Sequence, residues 1–499
     1  MSHLRSNLVR TLSRATLGAV VLACLLGGPV FAQQDRGGTW SQFQGDPAHS
    51  GAFASGPEPP YRQAWRFVAP EGSLSGAVIT GEVAIAVGEG AVYALELGTG
   101  QEAWEVPRDG GPISMPAVGA RGEVVLFLDG PPSTEGGAED EVTPQGGTGA
   151  TGGSPADQKA VTELVAVSAT DREELWRTTL EAQSRSGVTV EGDLAIVADD
   201  EGTVYAVELA TGSLAWSAEA RGRVDAPPAV ADGHVYVVAR DSDAQRIQLV
   251  ALDEQSGDEV WRFTAQAGAV AASAASAGDG SVVVGSADRL VRRLGGDDGE
   301  VLWDSLTLTL FSPVTAPAFV PRALYVADAA GGVYGLDPSD GTRRWEHQLN
   351  EVIVRSSPVV SGPYLLVGLN DGRLVALDPE NGDLVWQSAS SQGLIGSIAL
   401  SSDLVVAVKG GKEAGLVAFE HDPEGSLVRV PSPTVADAGR LVGNYALALV
   451  IASVVIYLPF RFLRARMGPA FAEEEGGVED EDLEGDPDPV SGEDEAGDR

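Results

Sequence analysis

The chain has 499 residues, 63 of them glycine, and a formal net charge of −39. That balance excludes a nucleic-acid partner, because binding phosphate needs a basic face. With Cys24 its one cysteine, the folded part holds no disulfide, no CxxC pair and no thiolate metal site.

Residues 1–32 read as an export signal. Arg5, Arg10 and Arg14 form a positive start, Ala15 to Leu26 a short apolar core, and Val30-Phe31-Ala32 places small residues at the cleavage positions. Cleavage after Ala32 is expected. A second reading stays open: Val21-Leu22-Ala23-Cys24 resembles a bacterial lipoprotein box, which would place a lipid on Cys24. Further on, Tyr61 to Phe67 (YRQAWRF) is a lone strand carrying Trp65, with no companion before it.

A repeat follows, and it organises everything after it. VYALELGTGQEAW (Val92 to Trp104), LVAVSATDREELW (Leu164 to Trp176), VYAVELATGSLAW (Val204 to Trp216) and LVALDEQSGDEVW (Leu249 to Trp261) are copies of one string. So are VRRLGGDDGEVLW (Val291 to Trp303), VYGLDPSDGTRRW (Val333 to Trp345) and LVALDPENGDLVW (Leu374 to Trp386). Each is an unalternating apolar strand, a turn rich in Gly, Pro, Asn and Asp, and a second strand ending in Trp. In the last copy Tyr364 to Gly368 (YLLVG) is a further strand, turned back by Asn370-Asp371-Gly372. The Trp spacings are 72, 40, 45, 42, 42 and 41. A period of roughly 40 residues holding four short strands is that of a propeller blade.

Gly130 to Ala160 accounts for the long spacing. It is low in apolar residues, rich in Gly, Pro, Ser and Thr, and reads as a disordered insertion between the second and third strands of blade two. At the far end Ile398 to Leu400, Val405 to Val408 and Leu416 to Phe419 give three strands without a Trp-bearing fourth. Tyr61 to Phe67 supplies it, so the two chain ends build an eighth blade and hide both open edges. The propeller spans residues 33–421.

Residues 422–440 form a polar linker containing Pro423, Pro431 and Pro433. Residues 441–463 (LVGNYALALVIASVVIYLPFRFL) are apolar enough to span a bilayer as one helix. Arg461, Arg464 and Arg466 follow at once and place the C-terminal side in the cytoplasm. The tail, residues 464–499, is acidic from Glu473 and reads as disordered. The expected protein is a single-pass inner-membrane protein of a bacterium, its propeller periplasmic.

The string V-Y-A-L-x-x-x-T-G-x-x-x-W, as in Val92 to Trp104, resembles the blade motif of the pyrroloquinoline-quinone-like (PQQ-like) β-propellers. The resemblance covers Trp40 to His421 and extends to WSQFQGDPAHSG (Trp40 to Gly51), which is similar to that superfamily's lead-in segment. It implies an all-β, eight-bladed propeller of four-stranded blades. It also implies that Trp65, Trp104, Trp176, Trp216, Trp261, Trp303, Trp345 and Trp386 dock between neighbouring blades, where a large ring fills the rim and its N–H reaches a backbone carbonyl.

The superfamily holds both quinoprotein dehydrogenases and the non-enzymatic BamB-like branch, so fold alone does not decide function. In the enzymes, as the resemblance implies, a quinone lies in the central funnel between a Trp floor and, in many members, adjacent cysteines. A calcium held by Glu, Asn and Asp polarises it, and an Asp is the base. Here adjacent cysteines are impossible, and every propeller Trp except Trp40 belongs to a blade rim. There is no G-x-S-x-G elbow, H-E-x-x-H or P-loop. His3, His49, His234, His347 and His421 lack metal-ligand spacing. Asp199-Asp200-Glu201 and Asp297-Asp298 read as solvated turns rather than calcium sites. Asp225, Glu351 and Arg355 fall near the starts of inner strands, with nothing to single them out. The expectation is therefore a membrane-tethered scaffold of the BamB-like branch, without catalytic residues, metal or cofactor, docking other envelope proteins through its loop faces. The alternatives are a PQQ-dependent dehydrogenase or a ligand-sensing ectodomain.

Overall fold

The computed structural model describes residues 39–430, apart from 112, 131–160, 242–245, 267–272, 277, 287, 307–314, 350–355 and 392. The export signal with Cys24, the 131–160 insertion, the 441–463 segment with Arg461, Arg464 and Arg466, and the acidic tail lie outside the described residues. So do Glu351 and Arg355. Among the described residues no helix is long and apolar enough to cross a membrane.

Eight antiparallel sheets form the blades, each with four strands, A to D, ordered from the axis outward. Blade 1 comprises Val78–Thr80, Val83–Val87, Ala91–Glu96 and Glu102–Pro107. Blade 2 comprises Ala117–Gly119, Val124–Asp129, Glu163–Ser168 and Glu174–Thr179, so residues 131–160 sit between its strands B and C. Blades 3 to 7 repeat the pattern, ending with Val359–Ser361, Tyr364–Gly368, Leu374–Leu377 and Leu384–Gln387 in blade 7.

Strand position explains sequence pattern. Strands B and C are covered on both faces by neighbouring blades, and runs such as Val124–Asp129 and Leu374–Leu377 are buried throughout. Strand D has an open outer edge, and Leu214–Glu219 accordingly alternates, with Trp216 buried and its neighbours exposed.

Blade 8 is split. Ile395–Leu400, Leu404–Lys409 and Gly415–His421 supply strands A to C, and Tyr61–Val68 supplies strand D. The register runs from Tyr61 opposite His421 to Val68 opposite Gly415, with Trp65 opposite Ala418. The closure read from the Trp count is the closure observed.

Two extensions of the sheets were not legible as such. Ala52–Phe53 pairs in parallel with Val360 and Ser361, adding a fifth strand at the inner edge of blade 7. At its outer edge, within the stretch read as a linker, Val428 donates to the Val385 carbonyl, and Val430 exchanges two backbone hydrogen bonds with Leu384. The chain thus leaves the propeller along blade 7 rather than directly from its last strand.

Candidate functional site

The rim is built from the repeated Trp. In every blade the register between strands C and D slips by one residue just before that Trp. Such a bulge twists the strand and re-aims the next side chain, here toward the following blade. Six of the eight indoles then donate from Nε1 to a carbonyl in the next blade's C–D turn. Trp65 reaches Leu97 at 2.7 Å, Trp176 reaches Leu209 at 2.9 Å and Trp216 reaches Glu254 at 2.9 Å. Trp261 reaches Gly296 at 2.6 Å, Trp303 reaches Pro338 at 2.8 Å and Trp345 reaches Pro379 at 2.9 Å. In each accepting turn a glycine of positive φ lies flat against the ring. At Gly382 an added Cβ would stand 2.4 Å from Cε3 of Trp345.

Two indoles differ. Trp104 is only half-buried and Trp386 is buried, and neither has an indole hydrogen bond among the described residues. The turn facing Trp104 carries Arg172, φ 65°, where the others carry glycine. Trp386 faces the split blade, whose strands C and D come from opposite chain ends and share no turn. Its ring is met edge-on by Tyr61 at 5.0 Å instead.

The innermost strands are lined by the chain's own N-terminal segment. Trp40 exchanges two backbone hydrogen bonds with Ile79 of blade 1, and the Ser41 carbonyl accepts from Val118 of blade 2. The Gln42 side chain bonds the backbone of Val190 in blade 3 in both directions. The carbonyls of Pro47, Ala48, Ser50 and Gly51 then accept from Val230, Ser276, Phe319 and Val360 in blades 4 to 7. Residues 40–53 therefore run round the innermost strands of seven blades in order. The path of this lead-in segment along the inner strands has no local signal in the sequence. Trp40 is 1% exposed, edge-on to Phe53 at 6.4 Å, with Gly45 against its ring. His49 is fully buried, with Nδ1 2.8 Å from Ser273 Oγ and Nε2 3.3 Å from Thr189 Oγ1. Burial lowers its pKa to about 3, because removing the ring from solvent disfavours the cation.

The face bearing the B–C and D–A connections carries a charged cluster. Asp225 is not a lone funnel carboxylate: it pairs with Arg223 at 2.5 Å and with Arg240 at 2.7 Å. Asp200 lies 3.6 Å from Arg185 and 3.8 Å from Arg223, and burial still raises its pKa. The reading of Asp199 as a solvated turn is corrected. It is 1% exposed, accepts from the backbone N–H of Glu201 and Thr203, and takes the Tyr205 hydroxyl at 2.8 Å. Asp328 does the same with Tyr334 at 2.8 Å. The signal was present as D-x-x-G-x-V-Y in both blades. Blade 2 has Val165 at the Tyr position, and there Asp129 pairs instead with Arg177 at 3.1 Å, beside the buried Arg108. Asp298 caps its own turn through the Glu300 N–H. Among the described residues no group of three or more His, Cys, Asp or Glu is arranged to hold a metal ion.

The comparisons with known proteins agree with this architecture. The family described as "Outer membrane protein assembly factor BamB" matches residues 161–276, 244–352 and 351–427, together more than half of the chain. The protein of that name from Moranella endobia is 28% identical over 260 residues, 50% of this chain and 64% of the relative. The match therefore spans less than two thirds of that relative's own length. The crystal structure of BamB from Moraxella catarrhalis has a TM-score of 0.54 at 17% identity, covering 72% of this chain and all of that one. A quinohemoprotein alcohol dehydrogenase from Pseudomonas putida HK5 has a TM-score of 0.55 at 12% identity, covering 80% and 82%. At such identities the two structures speak for the fold alone. With the family match, the blade motif and the split eighth blade in agreement, this chain belongs to the BamB-type family of PQQ-like β-propellers.

Proposed function

We propose that this protein is an extracytoplasmic docking scaffold, exported by residues 1–32 and held to the inner membrane by residues 441–463. One observation carries the reading. Residues 40–53 run along the innermost strands of seven blades through hydrogen bonds, and the one Trp outside the rim, Trp40, is buried as part of that segment. A quinone enzyme needs a cofactor pinned at the axis beside a metal and a base, because the protein supplies orientation and electrostatics while the cofactor supplies the electrons. Here the available aromatic and the axial backbone are committed to the chain's own packing. What is offered outward is a rigid disc with loop-covered faces, one of them carrying the Arg185, Arg223 and Asp225 cluster. A disc of this kind serves protein docking.

The partner class is another envelope protein. Because the family is described as an outer-membrane assembly factor, a component of the barrel-assembly machinery is the first candidate. Photo-crosslinking tests this with a photoreactive residue at Arg185 or Asp225 on the loop face, and at Glu219 on the rim as control. Specific crosslinks from the loop face to one envelope protein in native membranes are expected. No adduct from either loop-face position, or equal adducts from the rim, contradicts the proposal.

A further inference from the structure

The chain holds three lysines, Lys159, Lys409 and Lys412, against many arginines. One of the three has a side chain largely covered by its neighbours. Lys409 ends strand B of blade 8 and is 8% exposed, and its ammonium has no hydrogen bond or ion pair among the described residues. Charged groups near it are Arg66 and Glu413. They pair with each other at 2.7 Å, so Glu413 is engaged elsewhere. The aliphatic stem of Lys409 is covered while the ammonium at its tip stays accessible and is not paired with a carboxylate, which leaves it able to receive an anion. Burial lowers the Lys409 pKa.

Lys409 lines a cleft of about 390 Å³ between blades 7 and 8. Tyr61 and Lys409 both line it and stand at opposite ends of the blade 8 ladder, so the cleft runs along the junction. Its apolar wall includes the rings of Trp386, Tyr61 and Phe419. Its polar wall is Gln387 with the serine-rich loop 388–391. The Gln387 carbonyl oxygen accepts from Arg373 at 2.8 Å, which leaves its amide nitrogen as a donor. The cleft lies at the junction where the split blade provides no C–D turn to cover Trp386.

We propose that this cleft binds a small organic monoanion, a carboxylate on an apolar or aromatic body. One ammonium balances one negative charge, and a carboxylate accepts from the ammonium and an amide N–H together. The rings bury the apolar body. A dianion is disfavoured by Glu413 and by the acidity of the whole chain. The inference does not depend on the docking proposal, since the cleft lies at the junction of blades 7 and 8 and the Arg185, Arg223 and Asp225 cluster on the connections of blades 2 to 4.

The test uses the full-length protein and two probes of one shape, 3-phenylpropanoate and its neutral amide, compared by calorimetry. The acid is expected to bind at least tenfold more tightly than the amide, and Lys409→Met to abolish the difference. A measurement on the wild-type protein guards against a variant that does not fold. Acetylation of the three lysines is followed by mass spectrometry, and the acid, not the amide, is expected to protect Lys409. Equal binding of the two probes, no binding of either, or acetylation of Lys409 unaffected by the acid overturns the proposal.

Discussion

The junctions between blades 3 and 4 and between blades 1 and 2 are built from the same string and close differently. At the first, Trp216 is buried, donates to Glu254 and lies on Gly257. At the second, Trp104 is half-buried without that bond, over a turn that carries Arg172. The two turns share one backbone form. The N–H of Gly257 bonds the Asp253 carbonyl at 2.9 Å, and the N–H of Arg172 bonds the Ser168 carbonyl at 2.9 Å. Both residues have positive φ, 75° and 65°. What separates them is a Cβ, which at Gly257 would stand 2.6 Å from the Trp216 ring. Glycine is needed there twice, for the left-handed conformation and for the close approach of an indole.

The largest effect expected is on closure as a whole. Deleting Tyr61 to Phe67 removes strand D of blade 8 and Trp65. Roughly 3–5 kcal/mol is lost with the ring alone, and the exposed edge adds to it. A deletion variant that unfolds in urea at the wild-type midpoint would break the account of a split blade.

Next comes the comparison itself. Trp216→Ala is expected to cost about 3–5 kcal/mol and Trp104→Ala about 1–2, since the second ring buries less and loses no hydrogen bond. Equal shifts in urea midpoint for the two variants would show that exposure and the missing bond do not matter.

Acid acts on the axis through His49, and on both rim turns through Asp253 and Asp171, whose carboxyls are held below the usual range by hydrogen bonds to Ser256 and Ser168. The folded protein holds His49 neutral down to about pH 3, while the unfolded chain protonates it near 6.5. The unfolded state therefore binds the extra proton between those values. Stability from this group is intact above pH 6.5 and falls by on the order of 1 kcal/mol per pH unit toward pH 3. Replacing His49 by Gln should flatten that part of the profile. The difference between the two Trp variants should persist at both ends of it. A wild-type slope that survives the replacement would place the acid sensitivity elsewhere.

The smallest effects sharpen the comparison most. Gly257→Ala should cost about 1–3 kcal/mol through its φ and the clash with Trp216. Arg172→Gly should stabilise by about 0.5–1 kcal/mol, by relieving a left-handed non-glycine residue. Combining Arg172→Gly with Trp104→Ala separates the terms. If the glycine lets Trp104 dock, the double variant gives up part of the gain.

The fold was legible because a Trp every 40 or so residues marks one blade, and a chain that starts with one strand and ends with three must close on itself. The rim differences were half legible, since Arg172 stands where six other copies have glycine, but its consequence lies in the neighbouring blade. The bulges were hidden because a single extra residue leaves the apolar pattern nearly intact. The axial path of residues 40–53 had no local signal: its partners are the inner strands of seven blades, far apart in the chain. Lys409 carries no signal in the sequence, because the cleft it lines is completed by Tyr61 and Gln63 from the other end of the chain.

The commitment of Trp40 to the chain's own packing bears on the choice between a docking body and a quinone enzyme, and one titration examines it. The full-length protein is mixed with pyrroloquinoline quinone and calcium, binding is followed by calorimetry, and turnover by alcohol-dependent dye reduction. With residues 40–53 bonded along the inner strands and Trp40 buried among them, the account predicts no turnover, whether or not the quinone adheres. Micromolar binding accompanied by dye reduction would contradict it.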